Sequence, residues 1–532
     1  MRISPKQLRT GFILLVTITI TSVLMFHHYD DVSEITQGLN NTWKDTNFTS
    51  ITSNLKIPSS KEFNDHLEVV VTSDKPEPQI KISNKHELFT TVYDIINQHD
   101  PKLPHFNKFK SGSRIPTLRA NKDKPIFTKE FLSQFITIDD DQIQHMQTLH
   151  SSIITQFGNL STTKEVYKGT GIVYVGGGRF NWFALMSIKT LRNLGSQLPI
   201  EVLIPNMGDY EEEFCTKTLP SLNAECNYLP DLLGEDLINY FKIGGYQYKS
   251  LAILTSSFEN MLLLDADNLP ISIPDRLFDS DVFHEKGLVS WPDFWRRSTS
   301  PNFYEIAGLK IQNLTKSGNP VNEETSLHQL QNTLTDPTSE SGQLLINKTQ
   351  HFQTMLLSLY YNIFGPQYFY PLLSQGAVGE GDKETFVAAA LASQLSYHQV
   401  GRSVHAIGRH KKDGHFVGVA MGQFDPEQDY ANHLNGKELK GPKMMFVHAN
   451  YFKLHPEILR RQNALFEGSQ RIRMFGPMKG FTGYDFELFQ FKNMEFLICE
   501  FGVKMNTFKN ENITQICDEL GDHIQFLERT QA

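Results

Sequence analysis

The sequence has no surplus of positive charge. Its 50 Lys and Arg face 59 Asp and Glu, for a net charge of −9 and a pI near 6.1. A nucleic-acid binder would normally present a basic face, so the composition argues against that class. Cysteine is scarce, with four in 532 residues. They fall as two close pairs, Cys215 with Cys226 and Cys499 with Cys517, whose spacing does not resemble a zinc site. Three pairings are possible and the sequence does not choose among them. Local pairing is the simplest expectation, each bridge stapling a short loop for roughly 2–4 kcal/mol in an oxidising compartment. Internal repeats are missing. So is a small-x-small cleavage motif after the uncharged run near the N-terminus, where Leu24, Met25, Phe26, His27 and His28 are all bulky.

That run, Gly11 to Phe26, follows Arg2, Lys6 and Arg9 and precedes Asp30, Asp31 and Glu34. Basic before and acidic after predicts an uncleaved signal anchor, with residues 1–10 cytosolic and the remainder lumenal. Its length is slightly short of the roughly 20 residues that span a typical bilayer, which thinner secretory membranes tolerate. Residues 27–90 are rich in Ser, Thr, Asn, Asp and Lys and read as a solvated stem. Residues 91–164 read as a helical lead-in, and 165–532 as the catalytic domain. Six N-x-S/T sequons, at Asn40, Asn47, Asn159, Asn313, Asn347 and Asn512, agree with a lumenal location, although several would arise by chance. Hydrophobic content of 39% and charged content of 20% are ordinary for a chain that buries a core.

From Gly171 short apolar runs alternate with helical periodicity. GIVYV, IEVLI, AECNYL and MLLLDAD read as strands; FNWFALMSIKTLRNL, EEEFCTKTL and YQYKSLAILTSS read as helices. This order predicts an α/β fold with a mostly parallel, doubly wound sheet. Ligands bind such sheets at the carboxyl ends of strands. The Gly176-Gly177-Gly178 turn and Asp265-Ala266-Asp267 both sit at such ends.

Two aspartates one residue apart, where a buried strand leaves the sheet, can converge on a hard divalent cation that also binds phosphate oxygens. Three later segments bear on the same site. ESGQLLINK reads as a polar turn leading into an apolar run. GEGDKETF opens a helix, where Glu380, Asp382 and Glu384 could simply complement the helix dipole. MMFVHANYFKLHP reads as a strand ending in His448, a possible third ligand. WPDFWRRSTSP sets Trp291 and Trp295 beside Arg296 and Arg297, either as a sugar- or phosphate-binding wall or as core tryptophans with solvated arginines.

The ordered set strand-DAD, SGxLLIN, GDK and strand-His resembles retaining glycosyltransferases of the GT-A type, including the glycogenin-like group. VYVGGGRFNW, LPIEVLIP, YLPDLLGED, YQYKSLAILTSSFENMLLLDADNLP, LVSWPDFWRRSTSP, DPTSESGQLLINK, SQGAVGEGDKETF and FVHAN are similar to the fungal Golgi alpha-1,2-mannosyltransferases that start side chains on N-glycan outer chains. The resemblance covers roughly residues 165–460. It implies a GT-A, Rossmann-like catalytic domain, GDP-mannose as donor and Mn²⁺ (or Mg²⁺) as metal. It also implies retention of configuration, a mannosylated glycoprotein acceptor, residence in the Golgi membrane as a single-pass type II protein, and mannosyltransferase complexes as partners. By carry-over, Asp265 and Asp267 hold metal and diphosphate, His448 is the third metal ligand, Lys249 and Gly177 face the donor, and Asp382 faces the reacting sugar. Lys383 stands where that group often has Gln. The competing readings are alpha-1,3 transfer by the same family, or a lumenal sugar-binding protein without transfer.

Overall fold

The computed structural model describes residues 80–530, apart from 113, 123, 235, 236, 239–242 and 437–440. The run at 11–26 and the sequons at Asn40 and Asn47 lie outside the described residues. Among the described residues no helix is long and apolar enough to cross a membrane.

The stem boundary expected at residue 90 falls inside packed structure. Helix α1, Lys85–Gln98, starts on an Asn84 cap whose side chain accepts from Glu87 N–H, and it buries Leu88, Phe89, Val92, Ile95 and Ile96. That 3–4 spacing makes one apolar stripe, so the polar composition of the preceding residues gave no sign of where packing begins. Helix α2, Asp140–Gly158, begins with an Asp139–Gln142 capping box and buries Ile143, Met146, His150, Ile153 and Phe157.

The main sheet has seven strands. In chain order they are β1 (Thr170–Val175), β2 (Ile200–Ile204), β3 (Ala224–Tyr228), β4 (Asn260–Leu264), β6 (Leu288–Pro292), β7 (Ser339–Asn347) and β8 (His398–Gln399). Across the sheet the order is β8-β6-β7-β4-β1-β2-β3. Neighbours pair in parallel except around β7, which runs antiparallel to both β4 and β6. Strands buried on both faces carry continuous apolar runs: Ile172, Val173 and Tyr174 in β1 and Met261–Leu264 in β4 are at most 1% exposed. Helices α3 (Phe180–Leu194), α4 (Tyr248–Thr255), α5 (Phe352–Ile363) and α6 (Thr385–Ala392) supply the remaining layers. The EEEFCTKTL stretch is not an α-helix throughout; Phe214–Thr218 forms a π-turn.

A second sheet has the order β9 (His405–His410), β10 (Phe416–Phe424), β11 (Met444–His448), β5 (Asn268–Pro270). After residue 460, α7 (Phe486–Glu495) and α8 (Ile513–Arg529) pack together. Thr190 of α3 hydrogen-bonds Gln490 and Asn493 of α7, at 3.0 and 3.3 Å. Disulfides join Cys215 to Cys226 and Cys499 to Cys517.

Candidate functional site

The reversed strand decides what meets at the carboxyl edge. Because β7 runs antiparallel, its first residues lie level with the last residues of its neighbours, and Leu264 pairs with Gln343. Asp265 N–H then donates to the Gly342 carbonyl at 2.8 Å. The ESGQ stretch is therefore the start of a strand and not a turn before one; its polar residues are buried because they face this site. The register against β6 slips between Val289 and Trp291. Irregular pairing of this kind lets adjacent side chains reach one site instead of alternating. Here Glu340 and Ser341 both do so.

The second sheet supplies the remaining group. β5 follows Asp267 directly, and β11 pairs with it so that His448 lies opposite Asn268. Ala449 N–H donates to the Asp267 carbonyl at 3.0 Å. His448 Nε2 then lies 3.1 Å from Asp267 Oδ1 and 3.8 Å from Asp265 Oδ2. Asp265, Asp267 and His448 each offer one ligand atom, all within 4.8 Å of one another.

Cations hold this cluster in place. Lys249, on α4, sets its ammonium 2.8 and 3.0 Å from the two Asp265 oxygens, 2.9 Å from Ser341 Oγ and 3.6 Å from Asp382. Ser341 Oγ donates to Asp382 Oδ2 at 2.9 Å. Burial works against the Lys249 charge, but Asp265, Asp382 and Glu340 outweigh it and raise its pKa above the ordinary lysine value. Burial raises Asp382, only partly offset by Lys249 and Ser341. For Glu340 the balance reverses: His448, Lys249 and the Gly342 N–H overcome burial and hold its pKa at about 2. Lys453 forms an ion pair with Asp267, and burial lowers it to about 8.

Against this geometry, residues 169–425 match the family described as "Mannosyltransferase putative". The chain is 39% identical to the Alpha-1,2-mannosyltransferase MNN21 of Candida albicans, over 86% of this chain and 77% of that protein. It is 38% identical to the Alpha-1,2-mannosyltransferase MNN2 of Saccharomyces cerevisiae, over 77% of this chain and 78% of that one. The chain belongs to this alpha-1,2-mannosyltransferase family. It is a glycosyltransferase. Among solved structures it has a distant likeness to galactosyltransferase LgtC in complex with donor and acceptor sugar analogues: TM-score 0.25, 13% identity, covering 44% of this chain and 73% of that one.

Other candidate residues fall around the transferase's acidic cluster or away from it. Gly177 lies just past β1 on the same sheet edge, with φ +103°; its N–H donates to Asn181 Oδ1 at 2.7 Å. A Cβ there would come within 3.2 Å of Pro205 and Asp209, so the glycine serves close packing against that loop. Lys383 turns away from Asp382 into an ion pair with Asp293. The acidic residues of GEGDKETF are not dipole complements: Glu384 pairs with Arg297, both fully buried, and Glu380 accepts from Gly376 N–H at 2.7 Å. Trp291, Arg296 and Arg297 do not form the expected wall. Trp291 is buried with its indole N–H on the Phe424 carbonyl at 2.7 Å, and Arg297 spends its guanidinium on Glu384 and on the carbonyls of Thr335 and Pro337. Arg296 lies over the Phe127 ring.

Glu340, Ser341 and Lys453 were not identified from the sequence. A polar Ser-Glu-Ser-Gly start on an otherwise apolar strand, and a lysine five residues beyond His448, were the available signals.

Proposed function

We propose that the chain transfers mannose from GDP-mannose to mannose residues of glycoprotein glycans, in alpha-1,2 linkage and with retention, at a divalent-metal site of Asp265, Asp267 and His448. The carrying observation is the convergence of those three ligand atoms within 4.8 Å, in a chain of this family. The donor set fits a hard cation. Two carboxylates and an imidazole suit Mn²⁺ or Mg²⁺, and Asp265, Asp267, Glu340 and Asp382 together outnumber the lysines beside them. When bound, the metal supplies Lewis-acid stabilisation of the departing diphosphate.

The chain's own residues do the rest. Lys249 fixes the Asp265 carboxylate and spaces it from Asp382. Lys453, paired with Asp267 and a quarter exposed, would meet a phosphate oxygen of the donor. Asp382, held by Ser341 and Lys249, faces the reacting sugar. The basic-before, acidic-after flanks of residues 11–26 support a type II anchor with this domain in the lumen, and the family resemblance suggests the Golgi as its membrane.

The test uses the full chain in detergent, with GDP-mannose and an alpha-mannoside acceptor. Chelation, or Asp265→Ala with Asp267→Ala, is expected to lower turnover by about 100-fold or more, the loss of several kcal/mol of charge stabilisation. Unchanged turnover would remove the metal-site reading. Linkage analysis of the product separates alpha-1,2 from alpha-1,3 transfer.

A further inference from the structure

His448 has two ring nitrogens and the metal site uses one. Nε2 faces Asp267 and Asp265. Nδ1 points the other way, is buried, and closes no hydrogen bond as it stands. Glu340 Oε1 lies 3.5 Å from it. Glu340 is itself anchored: Oε2 accepts the Gly342 N–H at 2.7 Å, and the side chain is only 11% exposed. Gly342 closes the arrangement, since a Cβ there would lie 2.6 Å from both Glu340 Oε2 and His448 Nδ1. A buried carboxylate fixed by its own backbone, a bare glycine and an imidazole nitrogen aimed at that carboxylate form one packed unit.

From this we infer that Glu340 is a positioning residue for His448. It takes the Nδ1–H, which sets the ring's orientation and tautomer and leaves the Nε2 lone pair free for the cation that Asp265 and Asp267 would hold. A carboxylate behind a ligating imidazole also raises its basicity, and losing such a partner typically costs 10–100-fold in metal affinity. The fold explains why the carboxylate comes from β7. The irregular register there turns Glu340 toward the second sheet while Ser341, its neighbour, serves Lys249 and Asp382. The inference rests on the metal-site reading above.

The experiment titrates Mn²⁺ into the full-length protein in detergent, following free Mn²⁺ by electron paramagnetic resonance. Glu340→Gln is expected to weaken binding by about 10–100-fold, and the rate at saturating Mn²⁺ should recover to within several-fold of the unmodified enzyme. Recovery would not follow if the substitution merely damaged the fold. Because Glu340 acts through His448, adding Glu340→Gln to His448→Ala should change Mn²⁺ affinity by less than twofold. Equal Mn²⁺ affinity for Glu340→Gln and the unmodified chain overturns the proposal, as does a full additional loss in the double variant. Should Glu340→Gln fail to fold, Glu340→Asp keeps the charge but withdraws it by one methylene. It is expected to lose affinity too, and unaltered binding there is equally fatal. If the unmodified chain and the Asp265→Ala, Asp267→Ala variant bind Mn²⁺ alike, the metal-site reading itself fails, a result distinct from the others.

Discussion

Gly342 has no side chain, and its surroundings leave no room for one. A methyl group would meet Glu340 Oε2 and His448 Nδ1 at 2.6 Å and His448 Cε1 at 2.8 Å. One of these groups must shift. Overpacking of this kind costs about 1–3 kcal/mol, and the displacement falls on a residue offered as a metal ligand. Gly342→Ala is therefore expected to lower both Mn²⁺ affinity and transfer rate by at least tenfold while melting only a few degrees below the unmodified protein, checked by metal titration, initial rates and thermal unfolding. Lys453 gives a prediction with opposed signs. Its ammonium competes for the Asp267 carboxylate with any cation bound there. Lys453→Ala should tighten Mn²⁺ binding yet raise KM for GDP-mannose about tenfold or more, the worth of one charge-assisted hydrogen bond to phosphate. A donor KM unchanged by the substitution would remove Lys453 from the donor site.

At the scale of elements, β7 and the C-terminal helices matter most. β7 is the reversed strand of the main sheet and the one that delivers Glu340, Ser341 and Gly342 to the carboxyl ends of its neighbours. Among the described residues beyond 460 none joins the acidic cluster, but Phe508 packs behind the segment that leads into it. Trp182 of α3 donates its indole N–H to the Leu454 carbonyl at 2.8 Å, on the segment that carries Lys453, and packs edge-on against Phe508. The Cys499–Cys517 bridge spans 18 residues and ties the turn after α7 to α8. Chain-entropy arguments put such a closure at about 3 kcal/mol, so Cys499→Ser with Cys517→Ser should lower the denaturant midpoint and Tm measurably at neutral pH. The same region carries an acid-sensitive contribution. Arg473 grips Asp485 with two hydrogen bonds, at 2.9 and 2.7 Å, and Asp485 caps α7. Burial opposes the charge, but Arg473 and the Leu488 N–H prevail and depress the Asp485 pKa below its ordinary value. A depressed carboxyl stabilises the fold above its unfolded-state pKa, near 4, and that contribution is lost as pH falls through the folded value. The Tm gap between the unmodified chain and Asp485→Asn should accordingly be largest near neutrality and narrow below about pH 4.

For the whole molecule, the folded surface decides which sequons could carry a glycan if the domain is lumenal as proposed. Asn313 and Asn512 are exposed, whereas Asn159 and Asn347 are half-buried. Asn347 ends β7, its amide donates to Asn260 Oδ1 at 2.8 Å, and Thr349 of the same sequon is bonded to Glu259. A glycan on that amide would displace the contact with Asn260, next to the fully buried Lys348. Glycopeptide mapping of the protein secreted or retained in a fungal secretory pathway is expected to find Asn313 and Asn512 occupied and Asn347 bare. A truncation that starts at residue 91 should express poorly, because it removes Leu88 and Phe89 from the core and the Asn84 cap from α1.

The sequence by itself determined the fold class, because buried parallel strands write themselves as continuous apolar runs and amphipathic helices as 3–4 stripes. It also determined that Asp265 and Asp267 leave a strand together, since both lie within three residues of the same apolar run. Local pattern has no term for contacts between distant segments. Only the tertiary structure decided that β7 is reversed, that Glu340 and Ser341 enter the site side by side, and that Lys453 pairs with Asp267. It also turned Trp291 and Arg297 into the core. The first two share one physical reason, and the others rest on contacts between segments far apart in the chain. Strand direction and register are set by how whole layers pack, and a one-residue change in register moves a side chain from site to core.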